Sequence, residues 1–200
     1  MMLLDKGGIM IWPILGFSIL ILAVILDRFL ALATFRMLPP STMSQVKELI
    51  REGREDEANA LLKEEGPGSA RMFLAILSVK GKKRREQAAS RTGEALLFHL
   101  GRRLPVLSAG AAAAPLMGLL GTVLGMINVF SRVASAPGGV DIALLADGIW
   151  QALLTTAAGL GVAIPALLAY HFLIRLQDKI GFRMAHEGQN FVDDLEDMGK

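Results

Sequence analysis

The stretches Leu104–Ser131, LPVLSAGAAAAPLMGLLGTVLGMINVFS, and Gly148–Ile174, GIWQALLTTAAGLGVAIPALLAYHFLI, decide how this chain folds. Neither contains Asp, Glu, Lys or Arg. Each exceeds the roughly 20 apolar residues that carry an α-helix across a bilayer. Both are crowded with Gly, Ala and Thr, whereas Leu and Phe would suffice for a helix that only sits in lipid. Small side chains let helix backbones approach closely, so this composition points to helices that press against other helices.

Working outward, a third apolar run covers Gly7–Leu26. Three such runs in 200 residues, 52% hydrophobic and 20% charged, are hard to place in a small soluble core. The expected fold is therefore an all-α membrane protein with three transmembrane helices. A soluble bundle with unusually buried helices is the alternative. With no cysteine, the chain has no disulfide or thiol chemistry.

Charge placement sets the expected topology. Of the 21 Lys and Arg, 14 lie between Arg36 and Arg103, and Arg175, Lys179, Arg183 and Lys200 follow the last run. Lys6 precedes the first run, and Arg132 is the one cation between the second and third. The positive-inside rule then places the N-terminus and second loop outside, and the 36–103 segment and C-terminal tail in the cytoplasm. Ala31-Leu32-Ala33 has a small-x-small pattern, but the preceding apolar core is long and Asp27-Arg28 intervenes. The first run thus reads as a retained anchor rather than a cleaved signal.

The expected organisation is an N-terminal transmembrane helix over 1–35, a cytoplasmic helical segment over 36–85, a long second helix over 86–131, a periplasmic loop over 132–147, and a third helix with cytoplasmic extension over 148–200. Pro39-Pro40 stops the first helix, and Ser41 and Thr42 offer caps for a helix over Met43–Glu52. Short helices follow over Glu55–Lys63 and Ala70–Val79, separated by Glu64-Glu65-Gly66-Pro67-Gly68. A continuous helix from Glu86 to Phe130 would be about 67 Å long and would extend into the cytoplasm, with Pro105 and Pro115 inside it as candidate kinks. Asp141 is placed to cap the third helix. Pro165 interrupts that helix near mid-membrane.

Gly118, Gly121 and Gly125 share one helical face, and Gly121/Gly125 form a GxxxG pair beside Pro115. On the third helix Ala152, Thr156, Gly159 and Ala163 share a small-residue face, with Gln151 and Thr155 on an adjacent stripe. Two readings of the glycines stay open: packing within the chain, or association between subunits. For each membrane Thr the plain alternative is a back-bond to its own helix. Thr122 and Thr156 fall at comparable depth, where hydroxyls from several subunits would form a weakly polar ring. Intramembrane carboxylates are the usual proton carriers. Between Leu104 and Ile174 the acids are Asp141 and Asp147, in or near the outer loop, so a proton-carrying acid would have to come from a partner. His99, His171 and His186 lack metal-ligand spacing, and no nucleophile or phosphate-binding motif appears. No cofactor, metal or nucleic acid is expected, and the chain does not read as an enzyme.

LPVLSAGAAAAPLMGLLGTVLGMINVF followed by LADGIWQALLTTAAGLGVAIPALLAYHF resembles the MotA/TolQ/ExbB proton channel family, above all its ExbB and TolQ branch. Asp27-Arg28 is similar to the acidic–Arg pair that closes the family's first helix. The resemblance implies a bacterial inner-membrane homo-pentamer driven by the proton motive force. Its pore would enclose a single-span ExbD/TolR-like partner supplying a membrane Asp, with a TonB/TolA-like protein receiving the work. Thr122 and Thr156 match the family's pore threonines, with Thr155 and Gln151 beside the same pathway. Gly118, Gly121, Gly125, Gly159, Pro115 and Pro165 are the expected packing residues. Two departures stand out. Gln151 occupies a position where many members carry Glu, and it cannot titrate. Tyr170-His171 replaces a frequent Tyr-Asn pair. Other readings are a passive oligomeric scaffold for a single-span partner and a gliding-motility motor subunit.

Overall fold

The computed structural model describes residues 8–135 and 142–199. Among these, seven helices follow one another: α1 (Ile11–Ala33), α2 (Pro40–Arg51), α3 (Glu55–Glu64), α4 (Ala70–Leu77), α5 (Lys82–Gly101), α6 (Leu104–Ala134) and α7 (Ile142–Asp197). An isolated parallel bridge pairs Arg36 with Gly68. Three helical stretches are long and apolar enough to cross a membrane: Ile11–Ala33, the stretch ending at Ala134, and the stretch starting at Leu145. Only 17% to 28% of their most apolar windows is buried, so most of that surface is left for lipid or other chains. Asp141 lies outside the described residues.

The chain forms two compact units. One comprises the residues up to Arg28 together with Arg103–Phe172, and the other Phe29–Arg102 together with Leu173 onward. The 56-residue α7 contributes to both.

In the first unit, α6 buries one face: Leu107, Gly110, Ala111, Ala114, Gly118, Gly121, Gly125 and Val129. That is the 3.6-residue period of a straight helix with one packed side. The opposite face exposes Leu116, Leu119, Leu120, Val123, Ile127 and Phe130. Near Gly110 a β-carbon would collide with Ile21 of α1, so glycine there lets α1 close onto α6. Asp27 accepts hydrogen bonds from Arg28 Nε at 2.8 Å and from Arg103 Nη1 at 2.9 Å, tying the end of α1 to the residue before α6. The carboxylate thus satisfies two guanidinium groups at once.

The second unit packs like a water-soluble domain. Phe73 of α4 and Phe191 of α7 are fully buried and meet edge to face, with centroids 5.3 Å apart. Val46, Ile50, Leu62, Met72, Ile76, Met184, Val192 and Leu195 are buried with them. Leu38 N–H donates to Ser69 Oγ at 2.7 Å, and Ser69 N–H donates to the Arg36 carbonyl at 3.0 Å, closing the connection between α1 and α2 against the start of α4.

The structure corrects three local expectations. The helix expected to run unbroken from Glu86 to Phe130 is two helices, α5 and α6, separated at Arg102-Arg103. Pro105 has no N–H for the Gly101 carbonyl, and its ring would strike that carbonyl, so the α-helix stops and restarts with proline in its first turn. Pro115 lies inside a continuous helix, and so does Pro165, contrary to the expectation that it interrupts the third helix. The helix after Pro39-Pro40 starts at Pro40 rather than Met43, without a side-chain cap. Proline's fixed φ suits the first helical position. Thr42, expected as a cap, instead donates to Glu65 Oε1 at 2.7 Å and ties α2 to the end of α3.

Replacing Phe191 by Ala is expected to lower the stability of the second unit by about 3–5 kcal/mol, the usual cost of emptying a buried aromatic site. Amide hydrogen exchange around Phe73 and Met184 would speed up accordingly. Exchange across α6 would stay unchanged.

Candidate functional site

The site is built on the seam between α6 and the first half of α7. A β-carbon on Gly118 would come within 3.0 Å of the Thr155 carbonyl and of Thr156 Cα. On Gly121 it would come within 2.5 Å of Thr155 Oγ1. On Gly125 it would lie 3.3 Å from Ala152 Cβ, and on Gly159 2.5 Å from the Ala114 carbonyl oxygen. Further along, Gly148 faces Val129. Rising numbers on α6 meet falling numbers on α7, so the two helices run antiparallel with their glycines in register. The structure thus places Gly118, Gly121, Gly125 and Gly159 in contact within one chain. Pro115 is half-buried on this seam, and Pro165 is exposed one residue before the buried Ala166.

The hydroxyls sit around that seam. Thr155 is 2% exposed and donates to its own Ala152 carbonyl at 2.8 Å. Thr122, half-buried, donates to Leu119 at 2.6 Å. Thr156 reaches across the interface to the Gly118 carbonyl at 3.3 Å. Two of the three therefore back-bond within their own helices, and one links the two helices. A hydroxyl that donates to a carbonyl keeps its lone pairs free to accept from water or a partner's acid. The sequence pattern set Thr156 at the centre of the packed face and Thr155 beside it. In the structure Thr155 is the more deeply buried, because the face centres on Ala152, Thr155, Gly159 and Ala163.

A cleft of about 390 Å³ opens beside this seam, with Asn128, Gln151, Thr155, Gly121 and Gly125 in its walls and Gly8–Met10 at one side. Its polar groups are carboxamides and a hydroxyl, none of which titrates. Arg132 Nε donates to Asn128 Oδ1 at 3.2 Å, which fixes that amide's orientation. Gln151 lies against Gly8, where a β-carbon would come within 2.5 Å of its Nε2 and where φ is +63°. Glycine therefore meets two demands there, the left-handed backbone and the close approach. The Gly8–Gln151 contact and the Asp27–Arg103 pair join residues 143 and 76 positions apart, and no local pattern announces either. Among the described residues, no group of three or more His, Asp or Glu is placed to hold a metal ion.

Residues 67–185, more than half of the chain, match the MotA/TolQ/ExbB proton channel family. The chain belongs to that family. A chain of the proton channel family is a membrane conductor or energiser component rather than an enzyme, and with three spans this one is a multi-pass protein of the bacterial inner membrane. It is 42% identical over 89 residues to the biopolymer transport protein exbB1 of Vibrio cholerae, an alignment covering 44% of this chain and 38% of that one. An ExbB-like protein of Synechocystis sp. is 31% identical over 193 residues, covering 87% of this chain and 70% of its own length. The Tol-Pal system protein TolQ of Haemophilus influenzae is 36% identical over 96 residues, covering 48% and 40%. The chain thus spans well under half of the Vibrio and Haemophilus relatives.

The seam's register is directly testable because the chain has no native cysteine. Disulfides need Cβ atoms about 3.5–4.5 Å apart. A Gly125→Cys, Ala152→Cys chain is expected to form an intramolecular disulfide on mild oxidation, read as a reductant-sensitive mobility shift. Adding Gly121→Leu should abolish it, since that side chain has no room beside Thr155. Oxidation that proceeds equally with and without Gly121→Leu would contradict the seam.

Proposed function

We propose that this chain is the energiser subunit of an ExbB–ExbD/TolQ–TolR-like complex, converting proton flow into mechanical work in the periplasm. The observation that carries the reading is the pairing of a polar, non-titrating seam with two apolar stretches, Leu104–Ser131 and Gly148–Ile174, that hold no acid, Asp141 and Asp147 both falling between them. A proton pathway needs a titrating group at depth. Here Thr122, Thr155, Thr156 and Gln151 supply hydrogen bonds, and the acid comes from a single-span ExbD/TolR-like partner. The relatives named for biopolymer transport and the Tol-Pal system support this class of role. In this reading the subunit assembles as a pentamer, and a TonB/TolA-like protein receives the work. The N-terminus faces the periplasm, and the 36–85 segment and C-terminus face the cytoplasm, as the distribution of Lys and Arg favours.

The glycine seam within the chain bears on assembly. Because α6 uses its small face on α7, contacts with neighbouring subunits and lipid fall to the outward Leu, Val, Ile and Phe side. Gln151 conducts no proton itself. It orders water or a partner side chain by hydrogen bonding.

The back-bonds of Thr122 and Thr155 favour one second reading, a passive scaffold in which the hydroxyls only complete their own helices. A single experiment separates the two. Thr122→Val and Thr156→Val are expected to reduce proton-motive-force-dependent uptake or envelope maintenance by about tenfold or more, the scale of losing one hydrogen-bonding group from a pathway. The complex should still co-purify with its single-span partner. Full activity in both variants would favour the scaffold.

A further inference from the structure

The second unit carries a groove that the proton pathway does not use. It has a volume of about 280 Å³ and lies between α4, α5 and the second half of α7. Its floor is made of methionine and glycine. Met72 is buried, with its thioether over two glycines: a β-carbon on Gly188 would come within 3.0 Å of Met72 Cε, and one on Gly93 within 3.7 Å of its sulfur. Met184 is buried beside it. Methionine is unbranched and polarizable, so such a floor adapts to whichever apolar side chain enters.

The rim is acidic. Glu86 and Glu94 line the groove, and no Lys or Arg is among the described residues lining it. The nearby Lys82 is engaged by Asp193 at 2.9 Å, and Gln189 on the rim also donates to Asp193. Ser90 Oγ donates to one Glu94 oxygen at 2.6 Å, which orients that carboxylate. An adaptable apolar floor under two carboxylates is the chemistry that takes a basic amphipathic segment.

We propose that this groove docks the cytoplasmic, Lys/Arg-bearing segment of the single-span membrane partner. The inference rests on the energiser reading, which supplies that partner and places this unit on the cytoplasmic side. The occupant follows from charge complementarity and from topology. A single-span protein concentrates its Lys and Arg on the cytoplasmic flank of its helix, so that flank presents cations next to apolar residues. An apolar side chain would enter between Met72 and Met184, and a flanking cation would meet Glu86 or Glu94. Association through this rim would weaken with salt, as expected for partly exposed charge pairs.

The test uses the full chain co-expressed with its partner, with p-benzoyl-phenylalanine in place of Gln189 as a photo-cross-linker. The expected result is an adduct with the partner's cytoplasmic, Lys/Arg-bearing segment, identified by mass spectrometry. Glu86→Lys together with Glu94→Lys should cut its yield by about tenfold, the factor that two partly exposed ion pairs are worth. Glu48→Lys, an exposed charge reversal on α2, should leave it unchanged. An adduct with a second copy of this chain would overturn the inference, as would no adduct in a complex that still co-purifies, or a yield insensitive to the double reversal. Failure of the unsubstituted chains to co-purify would overturn the energiser reading and this inference with it.

Discussion

The close approach of α6 and α7 is the contact on which the rest of the membrane unit depends. Lipid tails are as apolar as leucine side chains, so burial from water cannot drive two helices together inside a bilayer. What remains is van der Waals contact, and that requires backbones close enough to touch. Gly118, Gly121, Gly125 and Gly159 provide this, with carbonyls, Cα atoms and the Thr155 side chain filling the space that β-carbons would occupy. The polar features follow from the same approach. Thr156 can reach the Gly118 carbonyl only because no side chain stands between them. Gln151, Thr155 and Asn128 line one cleft only because Gly121 and Gly125 leave room for it. The large apolar side chains are displaced to the exposed side of the helix.

The second unit is organised by different physics. Its core is Phe73, Phe191, Met72, Met184 and aliphatic residues, held by burial from water. Its surface pairs the acidic end of α7 with basic residues from earlier helices: Lys47 with Asp194, Lys82 with Asp193, and Arg85 with Glu196. The first two are partly exposed pairs, whose attraction water and salt screen. Arg85 is 5% exposed, and its Nε also donates to the Val79 carbonyl, so it counts for more as a buried group with satisfied donors. One helix, α7, serves both environments by changing composition along its length, from Ala, Gly and Thr to Leu, Met and Phe interleaved with charge.

Much of this was legible in the residues. The three apolar stretches, the short helices between them and the shared face of the α6 glycines follow from hydropathy and from 3.6-residue spacing. So does the placement of Asp141 and Asp147 between the two Gly/Ala/Thr-rich stretches, which themselves carry no acid. The break at Arg102-Arg103 was legible in principle. Pro105 falls where its ring meets the Gly101 carbonyl, but the surrounding residues are helix-forming and mask the stop. The start of α2 at Pro40 was similarly hidden behind two residues that cap helices well elsewhere.

By itself the sequence determined the class of helix, because crossing a bilayer and packing within it impose composition and period on every turn. Only the tertiary structure decided where the glycine face is spent, since one stripe of small residues fits a helix of the same chain or of another equally well. It also decided that Thr155 rather than Thr156 is the hydroxyl most deeply enclosed, a matter of a few tens of degrees of helix rotation that spacing does not set. It brought Asp27 to Arg103 and Gly8 to Gln151, because such contacts depend on how distant segments pack, and local sequence carries no record of that.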